Sequence, residues 1–125
     1  YVIGGQHNVD EFTGNQSSVN VYDPLTDTWS AAASLPQPLS HISSSLLVRN
    51  NRLIIVGGLT QARESVSSIF EYDPLSNRWR VIGQTPLPRY SNIAAIIDKQ
   101  LVLVQGVGVS MKVWRSSEPC LVSGC

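Results

Sequence analysis

The sequence predicts an all-β chain built from repeated, short-stranded antiparallel sheets. The first observation is an octet, Tyr72-Asp73-Pro74-Leu75-Ser76-Asn77-Arg78-Trp79, that already occurs fifty residues upstream as Tyr22-Asp23-Pro24-Leu25-Thr26-Asp27-Thr28-Trp29. The second is its setting. A glycine pair closes an apolar run ahead of each copy, Gly4-Gly5 after Tyr1-Val2-Ile3 and Gly57-Gly58 after Leu53-Ile54-Ile55-Val56, and Pro36 or Pro86 follows seven residues after the Trp. A period of this length marks stacked blades or solenoid turns, in which one supersecondary unit recurs. The third is an absence: no 11-residue stretch carries helical periodicity, and apolar runs such as Leu53 to Val56 and Ile93 to Ile97 are short enough for buried strands.

Taken in order, residues 1 to 5 end a strand at Gly4-Gly5, where glycine permits positive φ and close approach of a neighbouring strand. Residues 6 to 18 are polar and aperiodic and read as a loop. Val19-Asn20-Val21-Tyr22 alternates like a half-buried strand. Asp23-Pro24 then opens a turn, since Asp bonds its own downstream amides and Pro presets φ at the first corner. Trp29 begins a strand expected to run to about Leu35-Pro36, and Pro36 to His41 connect to the next unit. Ser43 to Val48 and Arg52 to Val56 read as a hairpin around Asn50-Asn51, because Asn tolerates the left-handed conformation of a tight turn. A second polar loop, Leu59 to Ser65, leads to a strand ending at Tyr72, and the turn and Trp79 strand follow. Pro86-Leu87-Pro88-Arg89-Tyr90 is the next connector. Asn92 to Ile97 and Leu101 to Gly106 form a third hairpin across Asp98-Lys99. The loop between glycine pair and Tyr has 16 residues in the first unit and 13 in the second. The length change thus sits where insertions cost least.

Bulk composition narrows the function classes. The chain has 125 residues, the length of one ordinary domain, and its 42% hydrophobic content suffices for a packed core. Only 14% is charged, with nine basic residues against nine acidic. That balance makes no electrostatic case for nucleic acid or a membrane surface as partner. No apolar stretch approaches the roughly 18 to 20 residues of a spanning helix. The chain opens in mid-strand without Met or a signal-peptide pattern, so it is expected to be a fragment of a longer protein. Cys120 and Cys125 lack zinc-knuckle spacing and a nearby His, and read as incidental.

These residues resemble the kelch repeat. Its pattern is a di-glycine ending the second strand, a Tyr (often before Asp-Pro) in the third, and a Trp about six residues later opening the fourth. The matching positions are Gly4, Gly5, Tyr22, Asp23, Pro24 and Trp29, then Gly57, Gly58, Tyr72, Asp73, Pro74 and Trp79. A third, degenerate unit has Gln105-Gly106 in place of the glycine pair, and Trp114 is expected where Tyr22 and Tyr72 stand. The resemblance implies kelch-type β-propeller blades, four-stranded antiparallel sheets that pack radially, in an incomplete ring. The expected organisation is a blade lacking its first strand over 1–39, a complete blade over 40–89, a partial blade over 90–115 and a tail over 116–125. Further blades outside the fragment, or self-association, would be needed to close a ring.

In an antiparallel blade, the loop after strand two and the connector after strand four emerge on one face. In kelch proteins this face commonly captures partner peptides. The resemblance puts Arg89 at a Pro-Arg position that often supplies a cation there, and Arg forks suit carboxylate or phosphate. Arg63 adds a second cation, and His7, Asn8, His41, Gln61, Tyr90 and Asn92 add hydrogen-bonding groups. His7 and His41 have no Asp, Glu or Cys at metal-ligand spacing, and Asp10-Glu11 with Glu64 have no fixed separation for glycoside chemistry. The recurrence of Asp23 and Asp73 argues for turn chemistry, and the glycine pairs lack the helix start of a phosphate cradle. Asn15-Gln16-Ser17 matches an N-glycosylation acceptor, a triplet common by chance.

The expected function is therefore a non-enzymatic interaction module with a protein or peptide partner, and with no metal, cofactor, nucleic acid or membrane. By resemblance it is a cytoplasmic adaptor of the kind whose BTB or F-box region recruits a ubiquitin ligase. The alternatives are a fragment of a kelch-type enzyme, galactose oxidase-like or a sugar-acid epimerase, and an actin-binding kelch protein.

Overall fold

The computed structural model describes residues 1–7, 14–104, 106–107 and 113–117. They form ten strands and, among the described residues, no α-helix: β1 (Val2–Ile3), β2 (Val19–Asp23), β3 (Thr28–Ala32), β4 (Leu46–Arg49), β5 (Arg52–Val56), β6 (Val66–Asp73), β7 (Arg78–Arg89), β8 (Ile93–Ile97), β9 (Gln100–Val104) and β10 (Trp114–Arg115). They make three open sheets, in the orders β1-β2-β3, β4-β5-β6-β7 and β10-β9-β8. All pairings are antiparallel between neighbours in sequence. This is the expected incomplete set of blades.

The repeated octet is a hairpin. Tyr22 lies across from Trp29 and Tyr72 across from Trp79. The ring centroids are 5.1 and 5.0 Å apart, at interplanar angles of 39° and 36°. Asp23 and Asp73 each accept the amide two residues on, from Leu25 and Leu75, at 2.9 Å. Asp27 and Asn77 both close the turn at φ 51°, a left-handed value that Asp and Asn tolerate better than most residues. Their side chains accept the tyrosine hydroxyls, Tyr22 to Asp27 at 2.9 Å and Tyr72 to Asn77 at 2.8 Å. The two aspartates at the Asp-Pro step are thus consumed by the turn, as recurrence suggested. At the other hairpins Asn50-Asn51 and Asp98-Lys99 also adopt positive φ.

The core lies between sheets. Alternate residues of the middle sheet face opposite neighbours, as the two-residue period of a strand requires. Ile55 and Phe70 pack against Val19, Leu35, Leu39 and Ile42, with Trp79 alongside. Ile54, Val56 and Ile69 pack against Ala94, Leu101 and Leu103 of the third sheet. Burial on both faces explains why β5 is continuously apolar rather than alternating.

Four expectations are corrected. Ser43–Ser45 are a 3-10 turn, not the start of the strand. The first Trp strand stops at Ala32, short of Leu35-Pro36. Its counterpart β7 runs through Pro86 and Pro88 to Arg89, where a connector was expected. Proline is tolerated there because β7 is an edge strand, and the ladder is irregular between Ser68 and Val66. In the third sheet Trp114 pairs with Leu103. Leu103 corresponds to Ile55, whose partner is Phe70. Trp114 therefore occupies the Phe70 position, and Ser116 falls where Tyr72 stands. Ser116 fills that place by bonding Leu101 twice, donating its amide to the Leu101 carbonyl at 2.9 Å and accepting the Leu101 amide on Oγ at 3.1 Å.

Candidate partner-binding face

The glycine pairs assemble this face. Gly57 (φ 73°) donates to the Ser68 carbonyl, and Gly58 (φ 129°) to the Arg89 carbonyl at 2.9 Å. In the first unit Gly4 and Gly5 make the equivalent bonds to Ser18 and Leu39, each 2.9 Å. The end of strand two is thereby tied to the end of β7 in the second unit and to the connector after β3 in the first, and the loop and the connector leave side by side. Ser40 and Leu59 exchange backbone hydrogen bonds of 3.0 Å, the Ser91 amide bonds the His41 carbonyl at 3.0 Å, and the Val107 amide bonds Tyr90 at 2.9 Å. The loop from 59 to 65 closes through a Leu59–Ser65 bridge and bonds from the Glu64 and Arg63 amides to Thr60.

The two connectors meet at His41 and Tyr90, whose rings pack edge to face at 5.4 Å. His41 holds φ 57° and Ser91, its equivalent, φ 51°. The His41 ring is oriented by Ser40, whose Oγ lies 2.9 Å from Nδ1. Beside it a cleft of about 350 Å³ is lined by Ile3, Gly5, His41, Ile42, Ser43 and Leu46. Ile3 belongs to β1, the edge strand of the first sheet. His41, Gln61, Arg63 and His7 are exposed and Tyr90 is half-buried. Asn8 and the Asp10-Glu11 pair lie outside the described residues, as do Cys120 and Cys125.

Arg89 and Asn92 stand apart from the other five described candidates. Arg89 is only 4% exposed and Asn92 is fully buried. Burial lowers the pKa of the Arg89 guanidinium. Its Nε donates weakly to the Leu87 carbonyl at 3.4 Å, while Nη1 and both amide atoms of Asn92 have no hydrogen-bond partner. The first connector explains why they are inside. Arg89 and Asn92 occupy the positions of Leu39 and Ile42, which fill the junction between the first two sheets. A Cβ added to Gly58 would meet Ile42 and Leu39, and one added to Gly106 would meet Asn92 and Arg89. The same socket is apolar in one junction and polar in the next. Unpaired buried polar groups cost about 1 to 3 kcal/mol each. Asn92→Leu is thus expected to raise stability by about 1 kcal/mol or more, read as a higher denaturant midpoint at unchanged slope.

Chain-order reasoning missed the Glu71–Arg80 pair. Glu71 is fully buried on the face shared with Ile54 and accepts Nε and Nη2 of Arg80 at 2.8 and 2.6 Å. Counting outward from the octet hairpin would have found it, since the residues before Tyr72 and after Trp79 must oppose each other. Arg80 also lines a cavity of about 260 Å³ with Arg52, Asp73, Ser76, Arg78 and Trp79, and Arg52 pairs with Asp73. Among the described residues no group of three His, Cys, Asp or Glu could hold a metal ion, and no helix is long and apolar enough to cross a membrane. Asn15 is buried, and its amide donates to the Leu59 carbonyl at 2.9 Å. The glycosylation triplet is therefore spent inside the fold.

Comparison with known proteins agrees with the repeat. The family described as "Kelch motif" matches residues 1–36 and 43–86. A mouse (Mus musculus) protein, Kelch-like protein 35, is 36% identical over 70 residues, which is 56% of this chain and 10% of the mouse protein. The matched stretch is therefore a small part of that relative.

Proposed function

We propose that this chain, which belongs to the kelch-repeat family, is a protein-interaction module that receives a protein or peptide segment across the loop-and-connector face. One observation carries the reading. The repeated residues are consumed by turns and sheet packing, whereas the residues that differ between units lie in the loops and connectors, where His41 and Tyr90 meet. Exposed Gln61, Arg63 and His7, in the loops that follow the glycine pairs, add hydrogen-bonding groups and one permanent cation. Tyr90 offers an apolar ring with a polar tip, the amphipathic type common at interfaces. Arg89 and Asn92 take part from below, by shaping the connector. Within a longer protein the module would act as the substrate-recognising part of a cytoplasmic ubiquitin-ligase adaptor, without catalysis of its own.

The test is a crosslinking pull-down with the intact protein, followed by affinity measurement on the partner identified. Tyr90→Ala and Arg63→Ala should each weaken binding at least tenfold, about 1.4 kcal/mol. Leu75→Ala, at the opposite end of the blade and 94% exposed, should leave it unchanged. Unaltered affinity in both loop variants would sink this reading, as would copper content with oxidase activity in the full-length product.

A further inference from the structure

We infer that the end of the second blade away from the loop-and-connector face carries a phosphoryl-binding site, in which Arg52, Arg78 and Arg80 take a phosphoserine or phosphothreonine side chain of a protein partner. The site is the cavity of about 260 Å³ lined by Arg52, Asp73, Ser76, Arg78, Trp79 and Arg80. Half of that lining is arginine, in a chain whose basic and acidic residues balance.

Sheet register assembles it. Arg49 lies across from Arg52, Arg52 pairs with Asp73, and Asp73 lies across from Arg78, so one row crosses all four strands. Arg49 and Arg52 are like charges directly opposite, an arrangement that repels across a strand pair and that an anion relieves. In the next row Glu71 lies across from Arg80 and accepts it. Both carboxylates are spent on the protein itself. Asp73 takes the Leu75 amide, the Ser76 hydroxyl and Arg52, and Glu71 is fully buried. Arg78 is exposed, and its side chain has no hydrogen-bond or ion-pair partner among the described residues. Within the two rows four arginines face two carboxylates. A phosphate monoester, with a charge of roughly −1.5 to −2 at neutral pH, gains more from that field than a carboxylate does. A guanidinium fork also meets two of its oxygens at once.

The first unit lacks this site, and its geometry shows that a blade junction leaves the place open. Thr28 and Ser30 stand where Arg78 and Arg80 do. Their face of the first sheet is covered by the second sheet through Val19 and Ala32, yet Thr28 and Ser30 remain exposed. A neighbouring blade thus packs on this face without closing the end at which the arginines sit.

Size and charge select the occupant. The cavity is smaller than the about 300 to 1,000 Å³ of a pocket for a whole small ligand, and suits one group presented on a chain. Nucleic acid would need a run of phosphate contacts along a basic stripe, which a net charge of zero does not supply. A phosphorylated side chain brings a single dianion. The site shares no residue with the partner-binding face and stands without that reading.

The test uses the intact protein and fluorescence polarisation. The probe is a peptide library with degenerate flanks around a central phosphoserine, set against the same library with serine. The phosphorylated library should bind at least tenfold more tightly. Arg78→Ala should remove at least tenfold of that affinity, and Arg78→Lys should recover only part of it, because the charge stays and the fork is lost. The urea midpoint should not move in either variant, since the Arg78 side chain has no partner to lose. Equal binding of the two libraries, or unaltered phosphopeptide affinity in Arg78→Ala, overturns the inference. Inorganic phosphate that displaces the peptide at the peptide's own Kd would assign the site to a free anion. An oligothymidylate that binds more tightly than the peptide would assign it to nucleic acid. Either result overturns it equally.

Discussion

Trp79→Ala is expected to destabilise the chain by about 3 to 5 kcal/mol, and Trp29→Ala by less than about 1 kcal/mol. The two residues share sequence context, strand position and stacking partner, so propensity and local geometry cancel in the comparison. What differs is the neighbouring sheet. Trp79 packs beside Ile55 and Phe70 and donates to the Ala33 carbonyl, and truncation would leave both a void between sheets and an unpaired carbonyl. Trp29 faces solvent over most of its surface. Urea unfolding of both variants against the parent gives the answer as two midpoint shifts, and equal shifts would mean that the sheets do not lean on each other through Trp79.

A second large effect is expected at Gly57. Its φ of 73° is strained for any residue with a side chain, and a Cβ there would run into the Arg89 carbonyl oxygen, with the Val66 carbonyl at 3.2 Å. Both obstacles are backbone, so nothing flexible can yield. Gly57→Ala should cost about 3 kcal/mol or more and displace the end of β7 with its connector. Gly5 supplies the control, because its φ is 100° but nothing lies within 4 Å of an added Cβ. Gly5→Ala should therefore cost only the conformational strain, about 1 to 2 kcal/mol. Thermal unfolding read by circular dichroism separates them, and similar losses at both positions would show that collision with Arg89 is not what demands glycine at 57.

Much of the frame could be read in advance, because it rests on short-range chemistry. Asp-Pro turns, the Asn50-Asn51 hairpin and the glycine pairs act within a few residues of where they are written. Facts that need a second element were harder. That β7 passes through Pro86 and Pro88 depends on its being an edge, which only the assembled sheet decides. The Trp114 position depends on register against β9, and spacing from a degenerate glycine pair misplaces it by two residues. At the candidate face, topology alone set the 59–65 loop beside the connector at Ser40. Depth was the unreadable quantity. Arg89 and Asn92 look like surface residues in sequence, and they lie inside because Leu39 and Ile42 do so one repeat earlier.

The prolines of β7 have a further consequence for how the protein behaves among copies of itself. At twelve residues β7 is the longest strand described, and it lies at an outer margin of its sheet. Such a strand is a template on which another chain can add by hydrogen bonding, the route to aggregation and fibre growth. Pro86 and Pro88 carry no N–H to offer, and Arg78 and Arg80 put positive charge at the other end of the strand. The segment that ties the connector to the glycine pair on its inner side is thus a poor nucleus for aggregation on its outer side.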